Sequence, residues 1–296
     1  MSYRLHGYRL ETELPDFGLA LTDEGDADIT VVRAAHPVDP GIYPETLAEV
    51  PHPDGRYAVM RGPSGCALLF FGVASAAFDP ATGRIEVEGT LEDETLALLA
   101  YGTILAALLA LRGECVLHAS AVNVEGFTVA MLGNSGRGKS TLAALLCAQG
   151  GRLVTDDALR VSADGDGWVG STEIRLREPV SALDFPERRT SDDRWALTVP
   201  LIGAEPTTVG AFVVPRPSPD AAAVEVRRAS PREAFVWLLN ESRSGAWTSR
   251  DVTLPWFRRI AAIAERIPVV EAVIPWQRPY KRELGEELMH EVRSVL

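Results

Sequence analysis

Residues 133–140 read GNSGRGKS and satisfy the pattern GxxxxGK[ST] through Gly133, Gly138, Lys139 and Ser140, with Gly136 as an additional glycine. FTVAML at 127–132 leads straight into this stretch as an apolar, strand-like run. Beyond it, Leu142, Leu145 and Leu146 fall at helical spacing until Gly150-Gly151 stops the helix. Strand, glycine loop and helix is the setting in which backbone N–H groups turn toward phosphate oxygens and a helix N-terminus adds positive potential. Gly133, Asn134, Ser135, Gly136, Arg137, Gly138, Lys139, Ser140 and Thr141 are therefore read as a purine-nucleotide cradle. In it Lys139 reaches the β- and γ-phosphates, and Ser140 is placed for magnesium, an ion that takes one or two protein ligands and keeps several waters. ATP is favoured over GTP because the base-reading pattern NKxD is absent. A glycine turn that binds nothing is the bland alternative, and it does not account for residue types and setting coinciding.

Outward from the loop, RLVT at 152–155 reads as a short strand ending at Asp156-Asp157. Successive side chains at a strand end point opposite ways, so one carboxylate can face a metal while its neighbour faces elsewhere. A solvated turn is the competing reading. His118 sits in the apolar run VLHASAV, 116–122, where a lone histidine is more often a core residue. The runs 116–122 and 127–132, separated by 123–126, read as a strand pair.

Farther out, residues 1–90 alternate short apolar runs with turn residues (DADITVV, RYAVM, CALLFFGV, IEVEG) and read as a strand-rich module. His6, His36 and His52 there show no metal spacing. At Glu92 the texture changes: EDE opens a helix that Arg112-Gly113 closes, and a domain boundary is expected near residue 90. The apolar stretch within it, Leu96 to Leu111, is shorter than a usual membrane span and reads as a buried core helix. On the C-terminal side, LRVS and WVGSTEIRL flank a hairpin turn at 163–167, TVGAFVV, VEVRR and PVVEAVI read as strands, and PREAFVWLLN and WFRRIAAIAERI as helices. Segments 186–194 and 241–251 read as loops able to order on binding.

The 296 residues, 46% of them hydrophobic, suffice for one large domain or two modest ones. With 29 basic against 41 acidic side chains the net charge is −12, which disfavours nucleic acid and anionic membranes as partners. Cys66, Cys115 and Cys147 form no paired spacing, and with no apolar segment at the N-terminus the expected location is the cytoplasm.

Together, VLHASAV, GNSGRGKS and RLVTDDALRV resemble the C-terminal kinase domain of the HPr kinase/phosphorylase family, over roughly residues 113–175 and with matching spacing from His118 to Lys139 to Asp157. The resemblance implies an α/β (mixed α+β) P-loop domain of the HPr kinase/phosphoenolpyruvate carboxykinase-like type, here preceded by the smaller strand-rich module. It implies Asp157 as the general base, Lys139 and the loop on the triphosphate, Ser140 on magnesium, His118 beside the γ-phosphate and Asp156 as a metal-side carboxylate. Glu173-Ile174-Arg175 looks like the family segment whose glutamate contacts magnesium, although Leu176, Arg177 and Glu178 stand where the family has glycines. The chain is more similar to the shorter HPr kinase-related proteins, some of which phosphorylate serine in ribosomally made peptides, lasso precursors among them.

The resulting expectation is an ATP- and magnesium-dependent serine kinase acting on a protein or peptide, with homo-oligomers possible from family habit. Two alternatives stay open: a nucleotide-gated binding or regulatory protein without transfer, and a kinase of a small-molecule acceptor. A carboxykinase normally adds a transition-metal site that the five scattered histidines do not provide. Arg188, Arg189 and Arg194 in ERRTSDDRW are either nucleotide or substrate contacts or a solvated mixed-charge loop.

Overall fold

A computed structural model describes residues 1–296 except 24, 53–54, 181–182, 244–246 and 282; the side chains of 51–55, His52 among them, are also outside the described set. Part of the loop expected at 241–251 thus lies outside the described residues. The chain has a mixed α/β architecture and divides into two compact units, 1–116 with 243–258 and 117–242 with 259–296.

In the first unit, alternating apolar positions build a nine-stranded sheet among the described residues. Glu45–His52, Gly55–Gly62, Gly65–Phe70, Ala74–Asp79 and Arg84–Gly89 run as an antiparallel meander. Ile29–Arg33 then pairs in parallel with Arg84–Gly89, and Tyr8–Thr12 in parallel with Ile29–Arg33. The helical segment Asp93–Leu111 belongs to this unit. Asp93 and Glu94 favour its first turn, Gly113 at φ 77° follows its end, and a π-helical stretch, Ala100–Ile104, interrupts it. Length and composition would let the segment cross a membrane, yet 67% of its most apolar window is buried inside the protein. Its anchors are polar as well as apolar. The Tyr101 hydroxyl bonds with Thr12 Oγ1 at 2.9 Å and donates to the Pro15 carbonyl at 2.9 Å, and Arg112 Nε donates to the Pro80 carbonyl at 2.7 Å. Burial pushes the Tyr101 phenol up to about 12. Because the helix docks here, the compact units separate after Val116 rather than at the composition change near residue 90.

The second unit is organised by strand Ala119–Val124, which pairs antiparallel with Phe127–Leu132 on one side and Arg152–Thr155 on the other. Phe127–Leu132 pairs in parallel with Thr207–Ser218, and that strand in parallel with Val269–Pro275. Helix Lys139–Ala148 packs on this sheet, its Leu142, Leu145 and Leu146 buried with Val122, Val129 and Met131, and helix Leu284–Val295 adds Leu288 and Val292 to the same core.

Three expectations change C-terminal to the glycine loop. WVGSTEIRL is not one strand: Asp166–Gly167 closes the hairpin with Leu159–Val161, while Glu173–Leu176 leaves for a separate three-stranded sheet, since Gly170 and Ser171 lie between the two. The stretch 186–194 is not a loop throughout, because Glu187–Arg189 pairs with Trp195–Thr198 in that small sheet. The helix expected from Trp256 begins at Arg250 and runs through Pro255, a residue that cannot donate the helical N–H bond at its position.

Candidate active site

Register explains why distant residues converge. Ala119 opposite Leu132 brings His118 beside the first loop residue, and Ala121 opposite Thr155 brings Ser120 beside Asp156. One strand end thus carries the loop on one side and the aspartate pair on the other.

The loop turns through left-handed backbone at Gly133 (φ 139°), Gly136 (φ 89°) and Gly138 (φ 80°), conformations in which other residues are strained. Helix Lys139–Ala148 starts directly after Gly138. Lys139 is only 6% exposed; its ammonium donates to the Gly133 carbonyl, to the Asn134 carbonyl at 3.4 Å, and to His118 Nε2 at 3.0 Å. An ammonium can only donate, so Nε2 of the imidazole is the accepting side of this contact, and Nδ1 is left for the other side of the ring. That Nδ1 faces the Asp157 carbonyl at 3.0 Å and the Asp157 carboxylate at 3.1 Å. Lys139, His118 and Asp157 therefore form one continuous polar chain.

The two aspartates diverge as their strand-end position requires. Asp156 is 5% exposed and saturated: Ser120 Oγ donates to Oδ1, Ser140 Oγ donates to Oδ1 at 2.9 Å, and the Arg175 backbone N–H donates to Oδ2 at 3.0 Å. Burial raises its pKa and the neighbouring Asp157 charge adds to this, while the three hydrogen bonds oppose. Asp157 has a side chain 60% exposed and a backbone at φ 73°, a left-handed conformation that Asp tolerates better than most residues.

A cavity of about 260 Å³ opens over the loop, just below the roughly 300–1,000 Å³ usual for ligand pockets. His118, Lys139, Ser140 and Asp157 line it, together with the loop residues Ser135, Gly136, Gly138 and Thr141. Gly133, Asn134 and Arg137 line a neighbouring cleft with Trp237 and Glu241. Glu241 accepts the Gly133 N–H; burial raises its pKa against the charges of His118, Lys139 and Arg137.

The small sheet supplies a cationic rim. Arg175 and Arg194 face the cavity and both pair with Asp192, Arg194 Nε at 3.3 Å from Oδ2. Burial would raise the Asp192 pKa, but hydrogen bonds from Thr190 and Arg175 and the two arginine charges hold it below the ordinary range. Of the other two arginines in that stretch, Arg188 bonds Glu173 at 2.8 Å and Arg189 pairs with Asp193.

Ser140 Oγ and an Asp156 oxygen stand together at 2.9 Å beside the cavity, which is the one-hydroxyl, one-carboxylate set that suits magnesium shared with phosphates. Among the described residues no cluster of three or more His, Cys, Asp or Glu could hold a metal by protein ligands alone. The Glu173 carboxylate accepts from Arg188 and is not among the cavity-lining residues.

Ser120, Trp276, Arg278 and Tyr280 join the site although no sequence motif singles them out. Ser120 carries a readable signal, a hydroxyl two positions after His118 within the same apolar run. Trp276 and Tyr280 follow an ordinary core strand and carried none.

No family model matches the chain, and no curated protein matches it. Among solved structures, the Hpr(Ser) kinase/phosphatase from Coxiella burnetii is similar at 15% identity and a TM-score of 0.33, over 60% of this chain and 94% of that one.

Proposed function

We propose that the chain is an ATP- and magnesium-dependent kinase that moves the γ-phosphoryl group to a serine hydroxyl of a protein or ribosomally made peptide. The observation that carries this reading is the Lys139–His118–Asp157 chain at the mouth of a glycine loop. Its ammonium and its carboxylate stand on the two sides of one imidazole, which supports a cation for phosphate charge on one side and a base for a hydroxyl proton on the other.

Ser140 and Asp156 would hold the magnesium, which when bound neutralises phosphate charge. Lys139 turns its ammonium from the Gly133 and Asn134 carbonyls toward phosphate oxygens. Asp157 orients the acceptor hydroxyl and takes its proton as the new O–P bond forms and the bridging P–O bond breaks. His118 fixes the Asp157 carboxylate, and Arg175 and Arg194 add positive potential at the rim. Glu173 would join the metal only after exchanging its Arg188 contact. Phosphoryl transfer needs little more than such positioning and charge compensation. Three free, buried cysteines fit a reducing, cytoplasmic setting.

The test is incubation with γ-labelled ATP, magnesium, an HPr-like carrier and serine-containing peptides, with Asp157→Asn as control. Wild type should label a serine, and Asp157→Asn should keep nucleotide binding while losing transfer by about 10²–10⁴-fold. Undiminished turnover in the variant removes Asp157 as the base.

A further inference from the structure

Part of the cavity has no role in the transfer step. Trp276 and Tyr280 stand with ring centroids 4.7 Å apart and planes at 50°, each half-buried against the core and each lining the cavity. They follow strand Val269–Pro275, whose buried residues fill the sheet core, and they turn instead into the space shared with the phosphate loop. The position of Trp276 is tied to that loop: a Cβ built on Gly138 would lie 2.4 Å from its Cη2 and 2.6 Å from its Cζ2. The indole therefore rests on the residue from which helix Lys139–Ala148 begins, with Thr141 lining the same cavity.

We infer that Trp276 and Tyr280 form the platform on which the base of the bound nucleotide stacks, and that this platform accepts adenine and guanine alike. The inference rests on the phosphate-loop reading above and adds a base subsite to it. Fixed aromatic faces beside a phosphate cradle give a nucleotide two anchors, one for its charge and one for its ring. Telling guanine from adenine requires donors and acceptors aimed at the base edge, whereas stacking uses a π-face that every base has. The polar side chains bordering the platform are engaged with each other. Arg278 pairs with Glu178, its Nε lies 3.4 Å from the Tyr280 hydroxyl, and its guanidinium stands 5.9 Å from the Tyr280 ring centroid. The absence of NKxD removes selection for guanine; it does not exclude guanine.

Calorimetric titration of the full chain with ATP, GTP and inorganic tripolyphosphate, each with magnesium, tests this on wild type, Trp276→Leu, Trp276→Phe and Tyr280→Leu. Wild type should bind ATP and GTP within about tenfold of one another and both more tightly than tripolyphosphate. Trp276→Leu should lose roughly 5- to 100-fold for both nucleotides while tripolyphosphate changes by less than about twofold, and Trp276→Phe, which keeps a ring, should recover most of the loss. Tyr280→Leu leaves the Trp276 contact with Gly138 in place and should show the same nucleotide-selective loss if Trp276→Leu melts early. Equal losses for nucleotide and tripolyphosphate in Tyr280→Leu, or more than about 100-fold preference for ATP over GTP in wild type, overturn the inference. Wild type that binds tripolyphosphate as tightly as ATP overturns the platform and leaves the phosphate loop standing; wild type that binds none of the three overturns both.

Discussion

Asp156 and Asp192 are two partly or wholly buried carboxylates whose environments act in opposite directions. Asp156 bears the desolvation of a charge in a site 5% exposed, and its hydrogen bonds only offset it. Asn in its place keeps an oxygen for the Arg175 N–H and offers an amide to the Ser120 and Ser140 hydroxyls. Asp156→Asn should therefore melt no lower than about 2 °C below wild type without magnesium, yet lack the added stability that the proposed binding of magnesium and nucleotide would give wild type, as thermal scans with and without both would read. Asp192 is the reverse case. Its folded pKa lies below the ordinary value, so the unfolded chain binds more protons and stability falls as pH drops from the ordinary aspartate range through the lowered one. Asp192→Asn should lower the melting temperature near pH 7 by about 2–4 °C, with the gap to wild type closing below about pH 4; a gap constant with pH would rule out the ion-pair origin. At this scale the convergence of the loop, His118 and the aspartate pair is legible because their motifs fall at the ends of apolar runs that pair as neighbouring strands. The partners of Asp192 are not legible, since a mixed-charge run at 187–194 looks the same whether solvated or paired with an arginine on another strand, as Asp192 is with Arg175.

Gly138 shows how an element depends on one backbone conformation. Any other residue there meets both φ 80° and the Trp276 ring. Gly138→Ala should cut tripolyphosphate affinity by more than about tenfold, and combining it with Trp276→Leu should restore little, because the ring clash is relieved and the strained φ remains. Recovery of full affinity in the double variant would assign the effect to the ring alone. Helix Pro231–Asn240 offers a calibration away from the site. Ser230 Oγ accepts the Glu233 N–H at 3.3 Å, and the Glu233 carboxylate accepts the Ser230 N–H at 2.9 Å. Losing that reciprocal cap in Ser230→Ala should cost about 1 kcal/mol in chemical denaturation without changing nucleotide affinity. This helix was readable from its proline and apolar spacing, as were the strands around the loop from their apolar runs. The fate of Glu173–Leu176 was not, because four residues of alternating burial carry no mark of which sheet they will join.

At the scale of the molecule, a chain of net charge −12 gathers Lys139, Arg175 and Arg194 around one cavity, a local concentration of cations that the proposed anionic ligand would meet. The division into units follows packing rather than composition. A change of texture near residue 90 marks where strands give way to helix, but a helix is assigned to the body that covers its apolar side. Asp93–Leu111 is held to the N-terminal strands by Tyr101 on Thr12 and Pro15, Arg112 on Pro80, and Asp93 paired with Arg33 at 2.6 Å. Separating the chain at 90 would expose the sheet surface that this helix covers and leave its buried leucines in water. Fragment 1–90 should therefore show no cooperative melt and should bind a hydrophobic dye, while fragment 1–116 should recover a cooperative transition, weakened by the loss of 243–258, whose Asp251 bonds Arg61 at 2.7 Å. Circular dichroism melts of the two fragments decide the point: a cooperative melt in 1–90 equal to that of 1–116 would mean that the strands close their core without the helix, and the boundary would return to residue 90.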